Sequence, residues 1–269
     1  MSVNNNVGFF YEVYTHENPS KPVGFLLGIV HNISPENKQI LNLNERIVKA
    51  IQNSKIYLPE TIMSFNPDKM KELSDTVSLI ITTEIDEYIK KSYPIDQHKS
   101  MHEKFDKLLD NFAQITNSTI SFDQALINTA FILKASDTNK EVLNLEDWEI
   151  QKDAVYDIAY KKFSQKNLIK LGDNVLDLQI HKEMSEAWIK GDEETIKYFP
   201  DNSYSSKQKM VVRNRRMTDS IRTVAKQKLL PGETFFAFPG VMHLYPYKGE
   251  EGIIKRLENE GFVVKRVKP

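Results

Sequence analysis

Two histidines stand in the same short motif near opposite ends of the chain. The segments Gly24–His31 and Thr234–His243 each contain an apolar run that stops at a glycine, with a histidine three residues later, GIVH in one and GVMH in the other. Such a run is typical of a strand buried on both faces, and glycine lets the backbone turn closely at its end. One Gly-x-x-His motif is usually structural. The repetition predicts two imidazoles at strand ends that share one metal ion or one substrate.

Two glutamates follow predicted strands in the same way. Glu60 comes directly after the short strand Lys55–Pro59, and Glu146 comes after the strand Glu141–Leu145. In open α/β sheets, ligands bind outside the carboxyl ends of the strands, so both carboxylates are expected to face the same crevice as the histidines. Two neutral imidazoles with one or two carboxylates suit a divalent metal that keeps an open position for water. A metal-bound water and a glutamate acting as general base are sufficient for hydrolysis.

A polar pair lies on the buried face of a helix predicted late in the chain. Between Lys207 and Gln227 apolar residues recur at helical spacing, and at about 100 degrees per residue Asn214 falls in the middle of their stripe and Arg213 near its edge. A buried amide costs about 1–3 kcal/mol unless it is hydrogen-bonded. We therefore expect Asn214 to be buried, hydrogen-bonded and directed towards the strand ends, either as a structural amide or as a residue beside the site.

Two other motifs are less specific. His98 and His102 have the i, i+4 spacing of metal ligands on a helix, but their segment is strongly polar and lacks the glutamate of the H-E-x-x-H motif. The basic run at 213–216 lies on a helix that is expected to be half buried, and the chain has a formal net charge of −1. Neither a metal site at the first motif nor nucleic-acid binding at the second is therefore expected.

The order of elements predicts the sheet that positions these residues. An alternating strand at 7–15 forms a hairpin with the first Gly-x-x-His strand. Ser34 and Pro35 have the residue types expected at the N-cap and first position of a helix, and apolar spacing extends that helix over residues 36–53. The strand at 55–59 is then expected to pair in parallel with the first Gly-x-x-His strand through a right-handed crossover.

Most of the remaining chain is expected to be helical. Residues 66–135 and 148–226 carry helical patterns, and a helix over 250–260 precedes a last strand at 262–267. This order indicates an α/β fold in one domain over residues 1–269, with a central sheet, many flanking helices and a large helical middle segment.

The composition excludes several classes of protein. Of the 269 residues, 40% are apolar and 27% are charged, which is ordinary for a globular protein. The chain has no cysteine, so disulfides, thiol nucleophiles and cysteine-ligated metals are excluded. No segment approaches the roughly 18 apolar residues of a membrane span, and the N-terminus lacks the regions of a secretory signal. We expect a soluble protein that is cytoplasmic, or exported without a recognisable signal peptide.

The order of the motifs resembles the TraB/PrgY/GumN family, to which the Tiki proteins belong. The match spans almost the whole chain and runs through GIVH, Glu60, Glu146, Arg213 with Asn214, and GVMH. The resemblance implies a fold similar to the erythromycin-esterase/ChaN group, with a central mixed β-sheet in two pseudo-repeated halves. It also implies the divalent-metal-dependent peptidase activity of Tiki members, with a peptide or small molecule as substrate.

The resemblance further assigns roles to residues. The metal ligands and the core of the catalytic site would be His31, Glu60 and His243. The supporting catalytic residues would be Glu146, Arg213 and Asn214. The ion would be a divalent metal such as manganese, cobalt or zinc. Two alternatives remain open: a binding module of the same fold that holds haem or a peptide without turnover, and a metal-independent esterase of the erythromycin-esterase type.

Overall fold

A six-stranded mixed sheet forms the centre of the protein. The computed structural model describes residues 8–60, 67–118, 120–162, 176–201 and 207–268. The strands in these ranges are β1 (Phe9–Thr15), β2 (Gly24–Gly28), β3 (Asn32–Ile33), β4 (Ile56–Pro59), β5 (Ile120–Ser121), β6 (Glu141–Val142), β7 (Phe235–Phe238) and β8 (Phe262–Arg266). The sheet has the order β6-β4-β7-β2-β1-β8, and β3 pairs with β5 in a separate ribbon. The predicted α/β class with a mixed sheet is confirmed.

Four neighbouring strands of the sheet run in parallel. β7 pairs with β2 on one side and with β4 on the other, and β4 pairs with β6. β1 and β8 extend the sheet in antiparallel pairs. The expected direct pairing of β2 with β4 is wrong, because β7 lies between them; its four residues are all buried, as a central parallel strand requires. The carboxyl ends of the four parallel strands therefore lie together at one edge.

Helices pack around this sheet. In the described ranges they are α1 (Glu45–Asn53), α2 (Pro67–Ser92), α3 (His98–Ser118), α4 (Phe122–Ser136), α5 (Trp148–Lys162), α6 (Leu176–Lys190), α7 (Glu193–Asp201), α8 (Lys207–Thr223) and α9 (Ile253–Asn259). The helices α2 to α8 occupy the two long segments for which the sequence predicts helical structure. None of these described helices is both long and apolar enough to span a membrane.

The helix expected over residues 36–53 is interrupted. A 3-10 helix occupies Pro35–Leu41, and α1 begins only after Asn44. Asn42 is the C-cap of the first helix, and Asn44 is the N-cap of the second, where its side chain accepts a hydrogen bond from the backbone amide two residues later. Ser34, the expected N-cap of the longer helix, makes no side-chain cap, and its buried hydroxyl has no hydrogen-bond partner among the described residues.

The strand expected at 141–145 is shorter than predicted, but its hydrogen bonds continue beyond β6. The amide of Leu145 donates to the carbonyl of Pro59 at 2.8 Å, and the amide of Glu146 donates to the carbonyl of Glu60 at 3.2 Å. These bonds hold the two glutamates side by side at the carboxyl edge. Pro59 is the last residue of β4, so its missing amide hydrogen does not interrupt the strand.

Aromatic side chains fill the core beneath this edge. Phe10 stacks on Phe25 and Phe236, with ring centroids 5.7 and 6.3 Å apart. Phe235 and Tyr57 have no exposed surface, and burial of each such side chain contributes about 1.5–3 kcal/mol. The site residues therefore project from a densely packed sheet, which limits how far they can move.

Candidate functional site

Both motif histidines face one carboxylate at the carboxyl edge of the parallel strands. The Nε2 atom of His31 lies 3.6 Å from Oε2 of Glu60, and Nε2 of His243 lies 4.0 Å from Oε1 of the same glutamate. Glu60 and His243 are buried, whereas 45% of the His31 side chain is exposed. The structure places both motif histidines beside Glu60, and the sharing of one metal ion or one substrate stays a prediction. One face of the site opens to solvent at His31.

Gly240 provides a hydrogen bond at this point and also allows the site residues to approach the backbone closely. Its amide donates to Oε2 of Glu60 at 2.8 Å, and backbone bonds of Ile29 with Pro239 and Val241 hold the two Gly-x-x-His segments together. A Cβ atom at Gly240 would lie 2.8 Å from Nε2 of His31, 3.1 Å from Oε2 of Glu60 and 3.4 Å from Cδ2 of His243. The absence of a side chain therefore allows all three groups to lie close to the backbone of Gly240.

Arg213 connects the two glutamates. Its Nε donates to both carboxylate oxygens of Glu146, at 2.9 and 3.1 Å, and its Nη2 donates to Oε1 of Glu146 at 2.6 Å and to Oε1 of Glu60. All three side chains are buried. The sequence places Arg213 only near the edge of its helix stripe, and it is the pairing of β4 with the segment after β6 that brings both carboxylates to it.

The two carboxylates have opposite pKa shifts. Burial would raise the pKa of Glu60, but the charge of Arg213, the two histidines and the Gly240 amide outweigh it and hold the pKa well below its usual range. Burial, together with the neighbouring charge of Glu60, raises the pKa of Glu146 to about 7 in spite of the bonds from Arg213. One guanidinium cannot fully compensate two buried carboxylates, so Glu60 is the one that stays ionised and Glu146 the one that takes up a proton first.

Asn214 orients His243. Its Nδ2 donates to the carbonyl of Glu251 at 3.4 Å, which leaves Oδ1 to accept the hydrogen of His243 Nδ1 at 2.6 Å. The predicted burial and hydrogen bonding of Asn214 are confirmed, since the residue is 1% exposed. Burial and the positive charge of Arg213 lower the pKa of His243 to about 3. The ring is therefore neutral, and its Nε2 presents a lone pair towards Glu60.

Asp123 is a site residue that the sequence does not predict. Its Oδ2 lies 3.4 Å from Nδ1 of His31, and it is the second residue of α4. Burial would lower the pKa of His31, but the carboxylates of Glu60 and Asp123 outweigh it and raise the pKa to about 9. The segment before α4 has the polar residues of a helix start. The pairing of β3 with β5, two residues each, brings this segment to His31. A ribbon this short leaves no hydrophobic periodicity in the sequence from which it could be predicted.

The donor types at this edge fit a divalent metal, although the side chains lie too far apart to share one ion. The Nε2 atoms of His31 and His243 face a carboxylate that stays ionised, and each imidazole has an oxygen partner on Nδ1, as metal-bound histidines usually do. In the described ranges, no group of three or more His, Cys, Asp and Glu side chains is close enough to hold a metal ion. Sharing one ion therefore requires these side chains to move closer together.

The second histidine pair lies elsewhere. Nε2 of His98 contacts the carbonyl of Tyr93 at 3.0 Å, and Nδ1 of His102 lies 3.6 Å from a carboxylate oxygen of Asp86. The first contact lies in the connection between α2 and α3, and the second joins the two helices. As expected from their polar segment, these two histidines are not part of the site at the sheet edge.

The sequence was compared with protein families, curated proteins and solved structures. A model of the TraB/PrgY/gumN family matches residues 15–266. Neither a curated protein nor a solved structure matches significantly. The matched range contains all six residues that the sequence assigns to the site. The similarity to the erythromycin-esterase/ChaN group and the pseudo-repeated halves stay predictions.

Proposed function

The chain belongs to the TraB/PrgY/gumN family, and on this basis we propose that it is a hydrolase that uses a divalent metal ion and cleaves peptides. The observation that carries the proposal is the convergence of two imidazoles on one buried, ionised carboxylate, at a point where Gly240 lets all three groups approach the backbone closely. The site lies outside the carboxyl ends of parallel strands, where α/β proteins bind their ligands. One side of it is open, so a peptide can reach it.

Three residues would hold the ion, namely His31, His243 and Glu60. A divalent ion bound by such ligands lowers the pKa of a water molecule and polarises the carbonyl group of the substrate. Manganese, cobalt and zinc all accept imidazole and carboxylate ligands. The neutral His243 suits this role because its low pKa keeps the Nε2 lone pair free at any physiological pH.

Glu60 acts in this proposal as an ionised acceptor rather than as a strong base. Its pKa lies well below the usual range, and a general base works best when its pKa is close to the working pH. The remaining lone pairs of its two oxygens can still accept a hydrogen bond from water and orient it. Arg213 keeps Glu60 charged and in place, since three hydrogen bonds to Glu146 fix the guanidinium.

Metal dependence and His31 together test the proposal. The protein is treated with a chelator, supplied with manganese, cobalt or zinc, and incubated with a peptide library whose cleavage is followed by mass spectrometry. We expect cleavage only with metal, and we expect His31→Ala to lose more than the roughly 10- to 100-fold that removal of an outer partner costs. The matched control is His102→Ala, because His102 is similarly exposed and also lies beside an aspartate.

A metal-independent hydrolase is a second candidate, and the contact between His31 and Asp123 favours it. A histidine held by an aspartate can transfer protons without any metal, and the raised pKa of His31 makes it a proton donor at neutral pH. Cleavage that resists chelation but is lost in His31→Ala would support this candidate. Peptide binding without cleavage under every metal condition would instead contradict both hydrolase proposals and favour a binding module.

A further inference from the structure

The orientation of His31 depends on a contact outside the sheet. Its side chain is the most exposed of the three proposed ligands. The oxygen facing its Nδ1 is Oδ2 of Asp123, at 3.4 Å. The other oxygen of this carboxylate already accepts from two donors, so Oδ2 is the acceptor that faces the imidazole. Nδ1 of His31 is therefore the nitrogen that carries a hydrogen.

The start of α4 is built to hold this carboxylate. Ser121 donates its hydroxyl hydrogen to Oδ1 of Asp123 at 2.6 Å, and the amide of Gln124 donates to the same oxygen at 3.1 Å. Two donors therefore occupy Oδ1, and Oδ2 is the oxygen left for His31. The aspartate has little freedom to exchange its two oxygens.

The same segment is fixed to the backbone around His31. The amide of Phe122 donates to the carbonyl of His31 at 3.0 Å, and the ring of Phe122 packs edge-on against Trp188 with centroids 5.5 Å apart. Trp188 in turn donates its indole hydrogen to the carbonyl of Gly28 at 2.6 Å. The first turn of α4 and the first Gly-x-x-His motif thus form one rigid unit.

We propose that Asp123 is a positioning residue: whenever the ring of His31 is neutral, Asp123 holds its hydrogen on Nδ1, so that Nε2 presents its lone pair to the reaction site. The role of His31 in turnover rests on the proposed hydrolase function. The tautomer itself does not rest on that function, because it follows from the hydrogen bonds of Asp123. Loss of the aspartate would leave the imidazole free to rotate and to place its hydrogen on either nitrogen.

The two donors on Oδ1 make the conservative substitution the more damaging one. In Asp123→Asn, the amide oxygen must face Ser121 and Gln124, because both of these groups donate. The amide NH₂ then faces Nδ1 of His31 and forces the hydrogen onto Nε2. Asp123→Ala leaves the tautomer free instead. A residue with only a structural role would show the opposite order, since asparagine preserves its shape and most of its bonds.

Hydrolysis and tautomer are measured on the same variants of the full chain. We expect Asp123→Ala to lower kcat/KM about 10- to 100-fold and Asp123→Asn to lower it at least about tenfold further, because a wrong tautomer in a fixed geometry is more harmful than a mobile ring. Asp192→Asn is the matched control: Asp192 starts α7 by accepting from the amide and hydroxyl of Thr195. We expect the control to keep its activity.

The tautomer is read by nitrogen-15 NMR of histidine-labelled, metal-free protein at a pH above the pKa of His31, with the signal assigned by its loss in His31→Gln. We expect hydrogen on Nδ1 in the wild type and on Nε2 in Asp123→Asn. This measurement needs no substrate, so it tests Asp123 even if no hydrolysis is found. Hydrogen on Nε2 in the wild type, or an asparagine variant that is more active than the alanine variant, would overturn the proposal.

Discussion

Replacement of Gly240 by alanine should lower activity without lowering the stability of the fold. The added Cβ would lie 2.8 Å from Nε2 of His31 and 3.1 Å from Oε2 of Glu60. The backbone of Gly240 has φ −54° and ψ 135°, which any residue adopts, so alanine brings no backbone strain. The nearest atom belongs to the far end of a half-exposed side chain, which can move away. The added Cβ atom therefore crowds the site side chains, while the strands of the sheet keep their positions.

The size of the effect follows from these distances. Ordinary van der Waals contact begins at 3.4 Å, so Nε2 of His31 must retreat by about 0.6 Å, and a displacement of this order costs roughly 10- to 100-fold in rate. The free energy of unfolding should rise instead. Gly→Ala at a compatible backbone position stabilises by about 0.4–1 kcal/mol, because it reduces the conformational entropy of the unfolded chain. We expect kcat/KM for peptide cleavage to fall 10- to 100-fold while the free energy of unfolding stays level or rises.

Gly28, the equivalent glycine of the first motif, is the control. A Cβ there would lie 2.5 Å from Cδ1 of Leu244 and 3.2 Å from the backbone Cα of Val241. These atoms are packed in the core, so Gly28→Ala should lower the free energy of unfolding by about 1–3 kcal/mol. Urea unfolding and peptide cleavage are measured for both variants. Full activity of Gly240→Ala, or a stability loss equal to that of Gly28→Ala, would refute the close approach of the site groups at Gly240.

Three further substitutions test individual contacts. Glu60→Gln sets its NH₂ against a donor, either Arg213 or the Gly240 amide, so chemical denaturation should show that the free energy of unfolding falls by about 1–3 kcal/mol. Because Glu60 is a proposed metal ligand, cleavage should fall by more than the roughly 10- to 100-fold that loss of an outer partner costs; wild-type turnover would refute the role of the carboxylate. Asn214→Ala leaves Nδ1–H of His243 buried and unpaired, so the unfolding free energy should fall by about 1–3 kcal/mol; an unchanged value would show that the bond adds nothing. For Glu146, the folded protein keeps the proton up to a pKa of about 7, whereas the unfolded chain loses it near 4.5, so the wild type loses stability as the pH rises between these values. Glu146→Gln should gain stability relative to the wild type over this interval, and a constant difference between the two would contradict the raised pKa.

Local patterns predict most of the sheet but not its strand order. β2 and β7 can both be placed from their continuous apolar runs, which end in Gly-x-x-His. The turn residues before β2 also mark its start. The position of β7 between β2 and β4 depends on a pairing between residues about 180 positions apart along the chain, and apolar periodicity carries no information on such a pairing. The interruption near Asn44 was missed because apolar spacing continues through it, while the asparagine side chain competes for the backbone and starts a new helix.

The site could be predicted to the level of its residues but not of its contacts. His31, Glu60 and His243 each follow a strand end, and the parallel sheet collects strand ends at one edge. The helix phase correctly places Asn214 in the buried stripe, because four apolar neighbours at helical spacing define it. The Arg213 bridge and Asp123 could not be predicted, since each depends on where a separate segment crosses the sheet edge.

The central claim is that His31 and His243 hold one metal ion in a shared hydrolytic site. Pulsed electron paramagnetic resonance of manganese-loaded protein tests it most directly, because it counts the imidazole nitrogens bound to the ion without requiring a substrate. We predict two coupled imidazole nitrogens in the wild type, one in His31→Ala, and two in the His102→Ala control. A signal that does not change in His31→Ala, or a wild type that binds no ion, would contradict the claim.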